Sequence, residues 1–325
     1  MKKTLYAILA IVIILVAASF YGAYTLVRTA TVSDDNYGQS YETAYSMVYG
    51  RYPELQAWHD SLKANGLWRD TFLTNADGLR LHGILVEHPK SDTLANTGAM
   101  MIIHGYMDDA PVMMRYTYCD YEMLHRNVFL PERQWCGLSE GDHITFGWRD
   151  RIDMHLWLDL MHNLWHEPIV VHGLSMGAAT TMMLSGDEIP DSLQVVGYVE
   201  DCGYTSTWDQ LVYKLKSDYG LPAFPLLYQA SLVNKLWHGW WFSEGDAIGQ
   251  VAKCQEPMLF IHGTADSYVP YWMAEQLYAA KPGKKELWSL PGVEHAKSIH
   301  DHWEEYVTRV GNFVNGCVQG IGQQD

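Results

Sequence analysis

Three short, uninterrupted apolar runs, residues 100–103, 169–171 and 258–261, each end in His-Gly: His104-Gly105, His172-Gly173 and His262-Gly263. Continuous apolarity over four or so residues, instead of alternation, predicts strands covered on both faces. Residues 127–130, 195–199 and 286–290 are three further candidates. Upstream, 71–74 and 79–86 flank Asn75-Ala76-Asp77-Gly78, a hairpin signal. Residues 152–166 carry helical spacing instead, with His155, Asp159, His162 and His166 on one face and Trp157, Leu160, Met161 and Leu164 opposite. That face of histidines reads as a solvated helix side, not a metal site. A hairpin followed by strands alternating with helices predicts a mostly parallel, doubly wound α/β sheet. Ligands of such sheets sit beyond the carboxyl ends of the strands, where the three His-Gly corners fall.

The first residues follow another pattern. Lys2-Lys3 precede a charge-free run over residues 5–27, closed by Arg28. About 20 apolar residues cross a bilayer, and the lysines belong on its cytoplasmic side. Residues 5–27 are therefore expected to enter the lipid bilayer as an uncleaved anchor, leaving the rest of the chain extracytoplasmic. A cleaved signal peptide competes, because Ala17-Ala18-Ser19 offers small residues for processing and would leave a secreted or periplasmic protein.

Charge narrows the partners. With 22 Lys+Arg against 38 Asp+Glu and a net charge of −16, the chain lacks the basic footprint nucleic acid requires. Cys119, Cys136, Cys202, Cys254 and Cys317 form no CxxC pair and no metal-ligand spacing, and read as sporadic buried thiols.

The candidate chemistry lies at the second corner. Gly173-Leu174-Ser175-Met176-Gly177 sits between the 169–171 run and the helix-prone 178–184. Strand, Gly-x-Ser-x-Gly and helix in that order describe the nucleophile elbow of an α/β-hydrolase. A serine hydroxyl needs a base to take its proton, and the base needs a third group to hold its tautomer. Along such a chain the order is serine, acid, histidine. Asp266, just past the 258–261 run, is the expected acid, and His295, on the loop after 286–290, the expected base. Asp201, ending the 195–199 strand, is the alternative acid. The amides of Met176 and Tyr106 are the expected oxyanion donors. His300-Asp301-His302 lacks a third matched ligand and reads as a helix start. The chemistry needs neither cofactor nor metal.

These motifs together, from about Thr71 to Phe313, resemble the α/β-hydrolase superfamily. In particular they resemble bacterial serine esterases and monoacylglycerol lipases, which shade into serine aminopeptidases. One departure is visible: relatives often carry Asp-x-Arg-Gly-His-Gly-x-Ser-x-Gly after the fourth strand, and here residues 131–141 replace it, with Cys136 where His is usual. The resembling enzymes insert a cap where residues 205–249 break the α/β rhythm with a crowd of aromatic residues, so a helical lid with an apolar underside is expected there. The division implied is an anchor or signal peptide at 1–28, a helical lead-in at 29–70, a catalytic domain at 71–204 and 250–325, and the lid at 205–249. The expected activity is hydrolysis of small acyl esters through an acyl-enzyme. Cleavage of short peptides is the alternative, and a binding protein on the same fold is the rival from another class.

Overall fold

A computed structural model describes residues 2–32, 41–89 and 98–320. Among these, eight strands form one sheet: β1 (Trp68–Thr74), β2 (Arg80–Val86), β3 (Ala99–Ile103), β4 (Asn127–Pro131), β5 (Ile169–Leu174), β6 (Val195–Asp201), β7 (Met258–Gly263) and β8 (Lys285–Leu290). Their order across the sheet is β1-β2-β4-β3-β5-β6-β7-β8. β1 pairs antiparallel with β2, and β2 with β4; every other pairing is parallel.

Alternate residues of the central strands feed two separate cores. Met101, Ile103, Val171 and Phe260 face one; Met100, Ile102, Val170, Leu259 and Ile261 face the other. Both faces are covered, which is why these strands read as unbroken apolar runs.

Among the described residues, twelve α-helices provide the cover. α1 (Lys2–Thr31), α2 (Tyr41–Arg51) and α3 (Glu54–Ala64) precede the sheet, and α4 (Met114–Tyr118) follows β3. α5 (Asp150–Trp165) connects β4 to β5, and α6 (Met176–Leu184) connects β5 to β6. α7 (Thr207–Tyr219), α8 (Leu226–His238) and α9 (Ala247–Val251) lie between β6 and β7, and α10 (Trp272–Ala280) between β7 and β8. α11 (Ser298–Asp301) and α12 (Trp303–Gln319) close the chain. On α5 the buried stripe is Met154, Trp157, Leu158 and Met161, spaced i, i+3, i+4 and i+7. Leu164 lies at the margin of that stripe, in the last turn, and is exposed. All five cysteines are buried.

Helix α1 has two parts. Residues 2–18 are all exposed, whereas Ala23, Val27 and Thr31, one turn apart, are buried against the domain. It packs along α8, with Ser19 donating to Gln229 (2.5 Å) and Tyr24 stacking on Trp237.

Candidate active site

Gly173 closes β5, Ser175 forms the corner and Met176 opens α6. The backbone of Ser175 holds φ 55°, ψ −114°, outside the regions L-residues favour. The flanking glycines make this turn feasible. A Cβ on Gly173 would lie 2.2 Å from the Gly177 carbonyl oxygen, and one on Gly177 2.1 Å from that of Ile103. A side chain at Gly173 would force the two arms of the elbow apart, and one at Gly177 would drive it off β3.

Three elements then converge. Ser175 Oγ lies 2.9 Å from His295 Nε2, and His295 Nδ1 2.6 Å from Asp266 Oδ2. The other Asp266 oxygen, Oδ1, accepts from the amides of Tyr268 and Val269, both at 2.8 Å. Burial alone would raise this carboxyl; contacts with His262 and His295 outweigh it and hold it down at about 2. Asp266 therefore stays ionised and accepts from Nδ1–H, leaving Nε2 free to accept the serine proton. Asp201 points elsewhere, accepting from Ser298 Oγ (2.9 Å) and Tyr306 Oη (3.1 Å). His300 pairs with Tyr52, and His302 lies near Glu305. Neither touches the site.

Sequence reasoning missed the support beneath the Tyr106 loop. Arg133, fully buried, donates from Nη2 to the Gly105 carbonyl (2.5 Å). The Gly105 C=O and the Tyr106 N–H belong to one planar peptide and point oppositely, so gripping the carbonyl fixes where the amide aims. Among the described residues, neither the Tyr106 nor the Met176 amide has a backbone acceptor. The Tyr106 hydroxyl donates to the carbonyl of Ala30 in α1 (2.9 Å). The replaced loop contributes through Glu132, which takes the Leu138 amide (2.6 Å) and His82 Nδ1 (2.8 Å).

Cys202, Asp266 and His295 are the one group of metal-capable side chains among the described residues with ligand atoms within 4.8 Å of one another. Burial, reinforced by Asp201 and Asp266, pushes the Cys202 thiol well above its usual value, against the thiolate a metal would need.

Beside Ser175 opens a cavity of about 230 Å³. Leu215, Leu227, Ala230 and Phe242 form its wall from the segment between β6 and β7, and Leu26 and Val27 of α1 complete it.

No family model matches the chain. It is 30% identical to the protein YqkD of Bacillus subtilis over 218 residues, 66% of this chain and 70% of that one. The Pyrococcus furiosus esterase Pf2001 superposes with a TM-score of 0.62 at 19% identity, covering 79% of this chain and 96% of the esterase. Est1E of Butyrivibrio proteoclasticus, solved with ferulic acid bound, gives 0.57 at 18% identity, covering 77% and 99%. The chain belongs to one family with YqkD and has the α/β-hydrolase fold. Its eight-stranded sheet, and the elbow after the fifth strand, are those of that fold.

One stability prediction arises here. Glu200, on β6, is fully buried, and its Oε2 accepts only the Gly203 amide (2.8 Å). Burial pushes its carboxyl up to about 8, against the opposing pull of His262 and Gly203 and with Asp201 adding to it. A raised folded value means stability is fully present below about 4.5, the value outside the fold, and is lost as pH climbs toward about 8. Glu200→Gln keeps the acceptor and removes the titration. Its unfolding free energy should fall less than the parent's between pH 5 and pH 8, by a difference on the order of a few kcal/mol at the upper end, read from denaturant unfolding at each pH. Parallel curves for the two proteins would show that Glu200 does not carry this dependence.

Proposed function

We propose that the protein is a serine hydrolase that cleaves carboxylic esters through an acyl-enzyme. The observation that carries the reading is the unbroken hydrogen-bond relay from Ser175 through His295 to Asp266. In this mechanism Ser175 Oγ attacks the ester carbonyl while Nε2 of His295 takes its proton. The oxyanion settles against the amides of Tyr106 and Met176. His295 returns the proton to the leaving alcohol, and a water activated the same way releases the acid. Residues 205–249 act as the lid over the acyl pocket. The exposed part of the 5–27 run crosses the bilayer with Lys2-Lys3 on the cytoplasmic side, while Ala23 and Val27 at its end are buried against the domain, which stays outside.

Ester is favoured over peptide by the cavity, whose wall is mostly apolar, with Gln210, Lys214 and Asp218 the polar side chains on it besides Ser175 and tyrosines. Each buried methylene is worth about 0.8 kcal/mol, roughly fourfold in kcat/KM, until the space is filled. Nitrophenyl esters should therefore be cleaved faster from acetyl to medium chains, and Ala230→Leu, which narrows the cavity, should flatten the rise. Aminoacyl anilides turned over faster than every ester would make the protein a peptidase instead.

A further inference from the structure

The apolar helix that leads the chain is also a wall of the pocket, and its length fixes where that pocket must sit. Lys2 and Lys3 must stay outside the hydrocarbon, and α1 is free of the domain only up to Ala18. Fifteen residues, 4–18, rise about 22 Å at 1.5 Å each. The hydrocarbon layer is about 30 Å thick. The missing 8 Å is about five residues, which brings the lipid boundary up to about Ala23. Contact with the lid has already begun there. The start of α8 meets α1 at Ser19 and Gly22, and its end at Tyr24 and Thr31.

The lid's outer surface fits that depth. Tyr228, at the start of α8, is 56% exposed on the face turned away from the domain; that apolar face continues through Leu232 to Leu236, climbing with α8 toward Thr31 and away from the boundary. Phe224, just before the helix, is 73% exposed. An outward apolar stripe continuous with a bilayer-crossing helix has one fitting cover, the same bilayer. Tyr21 and Tyr24 fall at the level where aromatic residues favour the lipid–water boundary. The cavity wall contributed by Leu26 and Val27 then stands about one turn, or about 5 Å, above that boundary.

We propose that α1 serves as tether and pocket wall together, and that through it the site takes its substrates sideways from the outer leaflet: amphiphilic esters with a long acyl chain, which slide along α1 beneath the seated lid helix. This rests on the ester-hydrolase reading for the reaction and on the bilayer-crossing reading of α1 for the location.

The test uses the full chain in phosphatidylcholine vesicles and two measurements. The first compares hydrolysis of nitrophenyl acetate in the water phase with that of a long-chain monoacylglycerol in the vesicles, for the parent and for the double variant Phe224→Ser, Tyr228→Ser. Neither residue lines the cavity. The variant should keep acetate turnover and lose about tenfold or more on the vesicle-borne ester. Equal rates on that ester would overturn the proposal, as would a loss shared by both substrates. The second measurement needs no activity: tryptophan quenching by vesicles of dibrominated phosphatidylcholine, in the parent and in Trp237→Phe. Quenching should be smaller in Trp237→Phe; identical quenching would mean that the lid is not seated on lipid. A seated lid in a protein that cleaves neither ester would count against the hydrolase reading alone.

Discussion

Ser175→Ala should reduce ester turnover by about 10⁵- to 10⁶-fold, leaving only what oxyanion donors and binding supply without a nucleophile. The size of the effect follows from the relay. With the hydroxyl gone, His295 Nε2 has no proton to accept and no acyl-enzyme forms. The fold should be indifferent to the change, because serine and alanine carry the same Cβ into the strained φ of 55°. An unchanged thermal midpoint beside the lost rate separates chemistry from unfolding. A variant that retained turnover would end the mechanism given above.

Asp266→Asn carries the second-largest effect, a fall in kcat of about 10⁴. An amide at this position favours the wrong imidazole tautomer, with the proton on Nε2, where the serine proton must go. The contrast with Asp201→Asn is sharp. Asp201 holds Ser298 and Tyr306 and does not touch His295. Its substitution should cost less than about tenfold in kcat and show mainly in stability, since an asparagine cannot accept from both hydroxyls as the carboxylate does. Steady-state kinetics on both variants, with melting curves, decides the matter. A reversed ranking would transfer the acid to the end of β6.

The strands were legible because burial on two faces removes the polar alternation that usually marks a sheet. They extend slightly past the apolar runs, so that β5 and β7 take in His172-Gly173 and His262-Gly263. These histidines are buried and bonded internally, His172 to Tyr306 and His262 to the Val269 carbonyl. A polar residue can therefore continue a buried strand when its partner is supplied from elsewhere, which no local pattern reveals. The elbow was readable for the opposite reason. Its constraint is local, and Gly173 and Gly177 are demanded by backbone a few residues away or on the neighbouring strand.

What sequence could not give depends on distant pairings. Arg133 reaches Gly105 across 28 positions, and α1 finds α8 across some 200. Hydropathy treats residues 5–27 as one apolar run, although Ala23 and Val27 face protein while Leu5 to Val16 face outward. The aromatic crowd in 205–249 likewise divides: Trp240 and Phe242 turn inward against Phe146, while Phe224 and Tyr228 turn out. Composition registers the crowd but not its two directions.

The central claim is that Ser175 is an activated nucleophile, and covalent trapping reads it most directly. The detergent-solubilised full chain would be treated with a fluorophosphonate, digested, and mapped by mass spectrometry. One phosphonyl group per chain on the peptide carrying Ser175, absent after heat denaturation before treatment, is the result the relay predicts. Turnover of an ester by protein whose Ser175 peptide remains unmodified, or whose adduct lies on a different serine, would contradict it.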